Sequence, residues 1–249
     1  MEAQNKFCSI FCNNQQCNSI NSNDCTSCRS PFSDDGTGNC IVDPTTSGYE
    51  LIDSSPDLGG SLSISPSTTG TCDSYSYYGN FVSDQDTLTV QEFNGIDSPH
   101  YQVQIMFWTI MIDDWNSDDF IDTTFNGTSQ KQYRNSRTST EKFCDNNGNA
   151  EDLVLYSKAF NHNETGVPID FTIFLDNSKK ENWGVKEIMV LAKLCHTACT
   201  SCFGGAATQC WSCENDTPMK LSGTTCNESC LAGYGDTLSG VCVLCDLTC

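Results

Sequence analysis

Eighteen cysteines run along 249 residues in a cysteine-rich, cysteine-poor, cysteine-rich order. Six lie between 8 and 40, two in the middle at Cys72 and Cys144, and ten between 195 and 249. Thiols at this density persist as a structural set only where they oxidise, so an extracellular or cell-surface location is expected. The two ends share a register. The first reads Cys8-x3-Cys12-x4-Cys17-x7-Cys25-x2-Cys28-x11-Cys40, and the second Cys195-x3-Cys199-x2-Cys202-x7-Cys210-x2-Cys213-x12-Cys226. Such a repeat predicts two small modules, 1–42 and 195–249, that have few apolar residues between their cysteines and need covalent rungs in place of a core. Spacing alone leaves the connectivity open. It also leaves open zinc, for which Cys199, Cys202, Cys210 and Cys213 have suitable spacing. The interleaved extra cysteines and the lack of nearby Lys or Arg speak against zinc.

Charge narrows the function classes. Asp and Glu number 32 against 12 Lys and Arg, a formal charge of −20. A chain this acidic, with no basic run, is not expected to bind nucleic acid or an anionic membrane surface. Its longest apolar stretch, 106–112, is far short of a membrane span, so no insertion is expected. Met1-Glu2-Ala3-Gln4-Asn5 lacks the features of a secretion signal. The sequence is therefore expected to be a mature chain or a window onto a longer one.

Residues 43–70 read as a linker, because Ser, Thr, Gly and Pro supply 18 of its 28 positions; Tyr49–Ile52 is its one strand-like patch. Residues 71–194 read as a β-sandwich. Short β-prone runs occur at 77–82, 87–90, 152–160 and 169–175. Tyr101, Val103, Ile105 and Phe107 alternate with polar residues before the pattern turns apolar on both faces, as in a central strand. Ile188, Val190, Ala192 and Leu194 alternate again. The expected fold is mainly β: a central, jelly-roll-like sandwich between two disulfide-rich modules, with almost no helix. Cys72 and Cys144, alone in this region, are expected to pair.

Three sets of candidate site residues stand out. Asp114, Asn116 and Asp118 place oxygen ligands at alternate positions, with Asp119 and Asp122 beside them. Calcium is the ion such a set would take, although the stretch is not an EF-hand; a solvated acidic loop is the plainer reading. N-linked glycans are expected on Asn126, Asn163, Asn215 and Asn227, each in an Asn-x-Ser/Thr motif, with Asn215 weakened by Pro218. No catalytic set is present: there is no nucleophile elbow, His-Glu-x-x-His or phosphate loop, and histidines occur only at 100, 162 and 196. The chain is expected not to be an enzyme and to need no catalytic cofactor.

The stretch Cys195-His-Thr-Ala-Cys199-Thr-Ser-Cys202, followed by Cys210-Trp-Ser-Cys213, resembles the furin-like repeat of the growth-factor-receptor cysteine-rich class. Receptors and very large protist surface proteins, especially of ciliates, carry such repeats. The resemblance implies the pairs Cys8–Cys17, Cys12–Cys25 and Cys28–Cys40. In the second block it implies Cys195–Cys202, Cys199–Cys210, Cys213–Cys226 and Cys230–Cys242. Cys245 and Cys249 are then left unpaired within the chain, or pair with a neighbouring subunit. Ser98-Pro99-His100-Tyr101, Ile112–Asp119 and Glu181-Asn182-Trp183-Gly184-Val185 resemble, in order, a domain that accompanies these repeats in ciliate-type surface proteins. That resemblance implies no catalytic activity. The expected role is a structural subunit or segment of an extracellular coat, appendage or fibril that self-associates or continues into a longer chain. The alternative is a secreted adhesion module that binds a glycan or protein through the sandwich loops, with calcium as a candidate cofactor.

Overall fold

A computed structural model describes residues 9–13, 25–55, 58–72, 75–81, 87–92, 95–112, 120–133, 152–176, 182–213, 219–232, 234–236 and 241–245. The N-terminal segment holds the hairpin β1 (Phe32–Asp34) and β2 (Cys40–Val42), followed by the one-turn helix α1 (Pro44–Ser47). Then come β3 (Tyr49–Ser54), β4 (Ser63–Ser65), β5 (Thr69–Cys72), β6 (Tyr75–Phe81), β7 (Thr87–Glu92) and β8 (His100–Ile112). The middle continues with β9 (Phe120–Phe125), β10 (Thr128–Tyr133), β11 (Asp152–Asn161), β12 (Ile169–Asp176) and β13 (Asn182–Leu194). Three hairpins end the described chain: β14 (Cys199–Cys202) with β15 (Cys210–Cys213), β16 (Lys220–Ser222) with β17 (Thr225–Asn227), and β18 (Tyr234–Asp236) with β19 (Cys242–Leu244).

The middle strands form two antiparallel sheets. One runs β10-β9-β12-β7-β4 and the other β11-β8-β13-β6-β5, with β3 also on β13. The inner eight, β6-β13-β8-β11 facing β7-β12-β9-β10, follow jelly-roll order, so the expected fold class is the one observed. Leu88, Val90, Ile121, Phe125, Phe171 and Ile173 from the first sheet meet Val103, Ile105, Phe107, Tyr156, Trp183 and Val190 from the second. These are alternate residues along their strands, the geometry a pleated sheet dictates.

Within 43–70, expected as a linker, three stretches instead join the sheets. β3 lines the second half of β13, β4 edges the five-stranded sheet on β7, and β5 edges the other on β6. Ser and Thr are poor markers of a linker here, since edge strands face water on one side and take hydroxyl residues readily.

The apolar both-face pattern of β8 has a cause outside the sandwich. Val103, Ile105, Phe107 and Met111 enter the inter-sheet core. On the opposite face Met106 and Trp108, with Met189 and Leu191 of β13, pack against Ile10, Cys12, Cys25, Phe32 and Cys40. The N-terminal segment therefore lies on the outer face of the six-stranded sheet, and the Arg29 guanidinium sits 5.2 Å from the Trp108 ring.

A bulge in β13 fixes this cover. Trp183 and Val185 point inward at odd positions, whereas Ile188, Val190 and Ala192 do so at even ones. The register on β8 shifts between Lys186 and Met189. Glu187 occupies the left-handed region at φ 55°, an uncommon conformation for a residue with a side chain. Its buried carboxylate accepts the Ile10 backbone N–H at 2.5 Å, with Lys186 Nζ 3.8 Å away. Gly184, just before the bulge, leaves room for Tyr77: a Cβ there would lie 2.1 Å from the Tyr77 ring.

Disulfides join Cys12–Cys25, Cys28–Cys40, Cys195–Cys202, Cys199–Cys210, Cys213–Cys226 and Cys230–Cys242. Cys72 is also disulfide-bonded, while Cys8, Cys17 and Cys144 lie outside the described residues. Cys245 is disulfide-bonded too, which corrects the expectation of a thiol left unpaired within the chain; Cys249 lies outside the described residues. Many disulfides point to a secreted or extracellular protein. No helix among the described residues is long and apolar enough to cross a membrane.

Candidate binding surfaces

The two sheets differ in what their outer faces meet. The N-terminal segment covers the six-stranded sheet, whereas the outer face of the five-stranded sheet carries hydroxyl, aromatic and charged side chains. Register aligns Ser65, Thr89, Thr172, Thr124 and Ser129 in one row across all five strands. Neighbouring strands lie about 4.8 Å apart, so the row spans roughly 19 Å. All five residues are exposed or half-buried. A second row runs Thr87, Phe174, Asp122 and Lys131. Beyond it Phe120 and the exposed Tyr133 meet at 5.1 Å between ring centroids, with Lys131 Nζ 3.9 Å from the Phe120 ring centroid.

Asp122 is the one member of the expected calcium set within the described residues; Asp114, Asn116, Asp118 and Asp119 are outside them. Its carboxylate is buried and accepts the Ser129 hydroxyl at 2.5 Å to each oxygen. The zinc alternative finds no thiolates. The sulfurs of Cys199, Cys210 and Cys226 do lie within 4.8 Å of one another. Each is oxidised in a bridge, as are those of Cys202 and Cys213.

The glycosylation motifs fall in different settings. Asn126 is exposed at φ 46° and Gly127 follows at φ 70°, forming the two-residue turn that joins β9 to β10. The Asn-Gly pair flanked by strands was a readable hairpin signal as well as a glycan motif. Asn163 is exposed beyond the end of β11. Asn227 lies on β17 with its amide nitrogen buried, so the structure disfavours the glycan expected there. Asn215 is outside the described residues. Native material is expected to carry glycans on Asn126 and Asn163 and none on Asn227. Intact glycopeptide mass spectrometry checks this, and an occupied Asn227 beside two bare sites would contradict the placement.

Sequence reasoning found no role for the histidines, yet two of them form a buried pair at the start of β8 and the end of β11. His100 Nε2 lies 2.7 Å from His162 Nδ1, and His100 Nδ1 lies 2.9 Å from the Ser98 carbonyl oxygen. A carbonyl only accepts, so His100 carries its proton on Nδ1 and its Nε2 accepts from His162 Nδ1–H. Burial pushes both imidazoles below their usual range; His100 adds to this at His162, and Glu164 opposes it. The unfolded chain therefore takes up more protons below about pH 6.5. The pair's contribution to stability is intact above that pH and is lost as pH falls toward the lower folded values. Melting temperature is expected to fall from about pH 7 to about pH 5.5, and His162→Gln to flatten that slope. A variant with the parent's slope would assign the dependence to other groups.

The C-terminal segment has little apolar interior. Its buried cluster is Ala198 with Cys199, Cys202, Cys210, Cys213 and Cys226. Its surface is unusually apolar: Phe203, Trp211, Leu231, Tyr234, Val241, Val243 and Leu244 are all exposed. The second and third hairpins are linked by the Lys220–Asp236 ion pair and a parallel bridge between Leu221 and Val241.

No protein-family model matches the chain, and no curated protein is significantly similar to it. Among solved structures it is similar to a family 35 carbohydrate-binding module from Clostridium thermocellum, at 12% identity and a TM-score of 0.33, over 57% of this chain and 96% of that one. It is similar to the CBM22-1 xylan-binding domain of Xyn10C from Paenibacillus barcinonensis, at 10% identity and a TM-score of 0.29, over 61% and 89%. A third similarity is to dimeric latent PorU from Porphyromonas gingivalis, at 13% identity and a TM-score of 0.37; it covers 58% of this chain but only 13% of PorU. Similarities this low assign neither a family nor a ligand.

Proposed function

We propose that this chain is a non-catalytic extracellular recognition module that binds a neutral glycan across the outer face of its five-stranded sheet. The hydroxyl row Ser65–Thr89–Thr172–Thr124–Ser129 carries the reading. It crosses every strand of the sheet on the face opposite the core. Sugar hydroxyls exchange hydrogen bonds with such a row, and exposed Tyr133 offers an aromatic face near its edge. The formal charge of −20 favours a neutral ligand over a polyanion.

Binding to a glycan array, followed by calorimetry, tests the reading. Thr89→Val, Thr124→Val and Thr172→Val remove hydroxyls while keeping branched, strand-compatible side chains. Together they are expected to weaken binding at least about tenfold, the loss of roughly 1.4 kcal/mol. Wild-type protein that binds no glycan would overturn the proposal. Repeating the titration with a chelator tests calcium dependence.

A second reading, a subunit of a self-associating extracellular assembly, is supported by the apolar surface of the last hairpin, where Val243 and Leu244 are exposed. Sedimentation of the Leu244→Ser variant separates the two: reduced self-association with unchanged glycan binding would favour assembly through this end.

A further inference from the structure

The first C-terminal hairpin carries an aromatic pair that the sheet face does not use. Trp211 is 54% exposed and Phe203 43%, with ring centroids 5.8 Å apart and planes tilted by 36°. Both rings stand on a rigid base. Cys195–Cys202, Cys199–Cys210 and Cys213–Cys226 brace the hairpin. The Phe203 N–H donates to the Gln209 carbonyl at 3.1 Å, and the Ala206 N–H to Gln209 Oε1 at 3.1 Å, so the connecting loop is closed from both sides.

The surroundings select the occupant. From Cys195 to Cys213 there is no Asp, Glu, Lys or Arg, in a chain whose formal charge is −20. The loop beside the rings is Gly204-Gly205-Ala206-Ala207, too small to cover them. The Gln209 carboxamide lies against Gly204, where a Cβ would meet it at 2.2 Å, and the Tyr101 hydroxyl lies near Gly205, 3.7 Å from the position of a Cβ there. Two preorganised rings on a loop that also holds an amide match a ring that has one apolar face and a hydroxyl rim.

We propose that Phe203 and Trp211 form a second carbohydrate contact, independent of the sheet face, that stacks on the apolar face of a neutral sugar ring. This rests on reading the chain as a glycan-recognition module, and it adds a site on a different part of the molecule.

The test titrates the full chain with neutral hexasaccharides of glucose, xylose and mannose, with an oligogalacturonate as anionic control. Tryptophan fluorescence is followed together with calorimetry. Trp108 and Trp183 are buried and Trp115 lies outside the described residues, so only the part of a blue shift on binding that vanishes in Trp211→Ala reports this site. At this site Phe203→Ala is expected to weaken binding of a neutral hexasaccharide at least about tenfold, and Trp211→Ala to remove one of two binding events in calorimetry, with the sheet site's affinity unchanged. Trp211→Phe is expected to keep most of the affinity. Both side chains are solvent-facing, so an unchanged melting temperature accompanies the loss. A single binding event in wild type, unchanged in the Trp211 and Phe203 variants and weakened by the three threonine substitutions, would overturn the second contact and leave the sheet site standing. Wild type that binds no hexasaccharide would overturn both. Loss of self-association in Trp211→Ala with sugar binding intact would assign the pair to a protein partner and overturn the proposal.

Discussion

Trp183→Ala is expected to lower the stability of the sandwich by about 3–5 kcal/mol, the usual cost of deleting a fully buried aromatic ring. Trp183 has no exposure and is the largest fully buried side chain among the described residues. It stands where β13 passes between β8 and β6, pairing with Met111 on one side and Phe81 on the other. The cavity left behind cannot collapse, because its walls are strands held on both edges. Whole domains are stable by only about 5–15 kcal/mol, so the variant should lose a large share of its margin. At about 2–4 °C per kcal/mol for a unit of this size, its melting temperature should fall by roughly 10 °C. Scanning calorimetry measures it. A fall of only a degree or two would mean that the centre of the sandwich is not packed around this ring.

Reduction is expected to divide the molecule. Five of the six buried members of the C-terminal cluster are half-cystines, so its interior consists largely of the bridges themselves. Loops of this size lose roughly 2–3 kcal/mol per bridge when opened, and no apolar core remains to offset the loss. The sandwich interior, by contrast, is built from apolar side chains of two sheets. With excess thiol reductant, amide protection should disappear across β14 to β17 and persist in β8 and β13. Hydrogen exchange read by mass spectrometry tests this. Equal loss in both regions would show that the sandwich also depends on covalent rungs.

Residue patterns revealed the sandwich because its inward positions alternate. Leu88 and Val90, or Phe171 and Ile173, announce a buried face wherever they are placed. They were less informative where a second layer intervenes. Met106 and Trp108 marked a strand buried on both sides, but nothing local named Ile10 and Phe32 as the cover, because that contact joins distant parts of the chain. The inward positions change from odd to even between Val185 and Ile188, which was a readable sign of a bulge, yet a parity break alone does not say what the bulged carboxylate holds. Residues 43–70 misled through composition, since a serine on an edge strand looks like a serine in a linker. Among site residues, the hydroxyl row was invisible because its members come from five separate strands and meet only through register. Trp211 was conspicuous within Cys210-Trp-Ser-Cys213, but its exposure depends on the side of the hairpin it occupies.

The bond between Ile10 and Glu187 spans 177 positions. At ordinary elongation speeds, roughly 9–35 s separate the synthesis of these two residues. Cys12–Cys25 and Cys28–Cys40 close loops of only 13 and 12 positions, so the N-terminal block can oxidise as soon as it meets an oxidising environment. Only half of its seat comes early, as Met106 and Trp108 of β8. Met189 and Leu191, the other half, belong to the last strand of the sandwich, and the cover over Ile10 and Phe32 is incomplete until that strand is made. The lid is finished before the box, so the newborn chain passes through an interval in which this apolar surface is only partly covered.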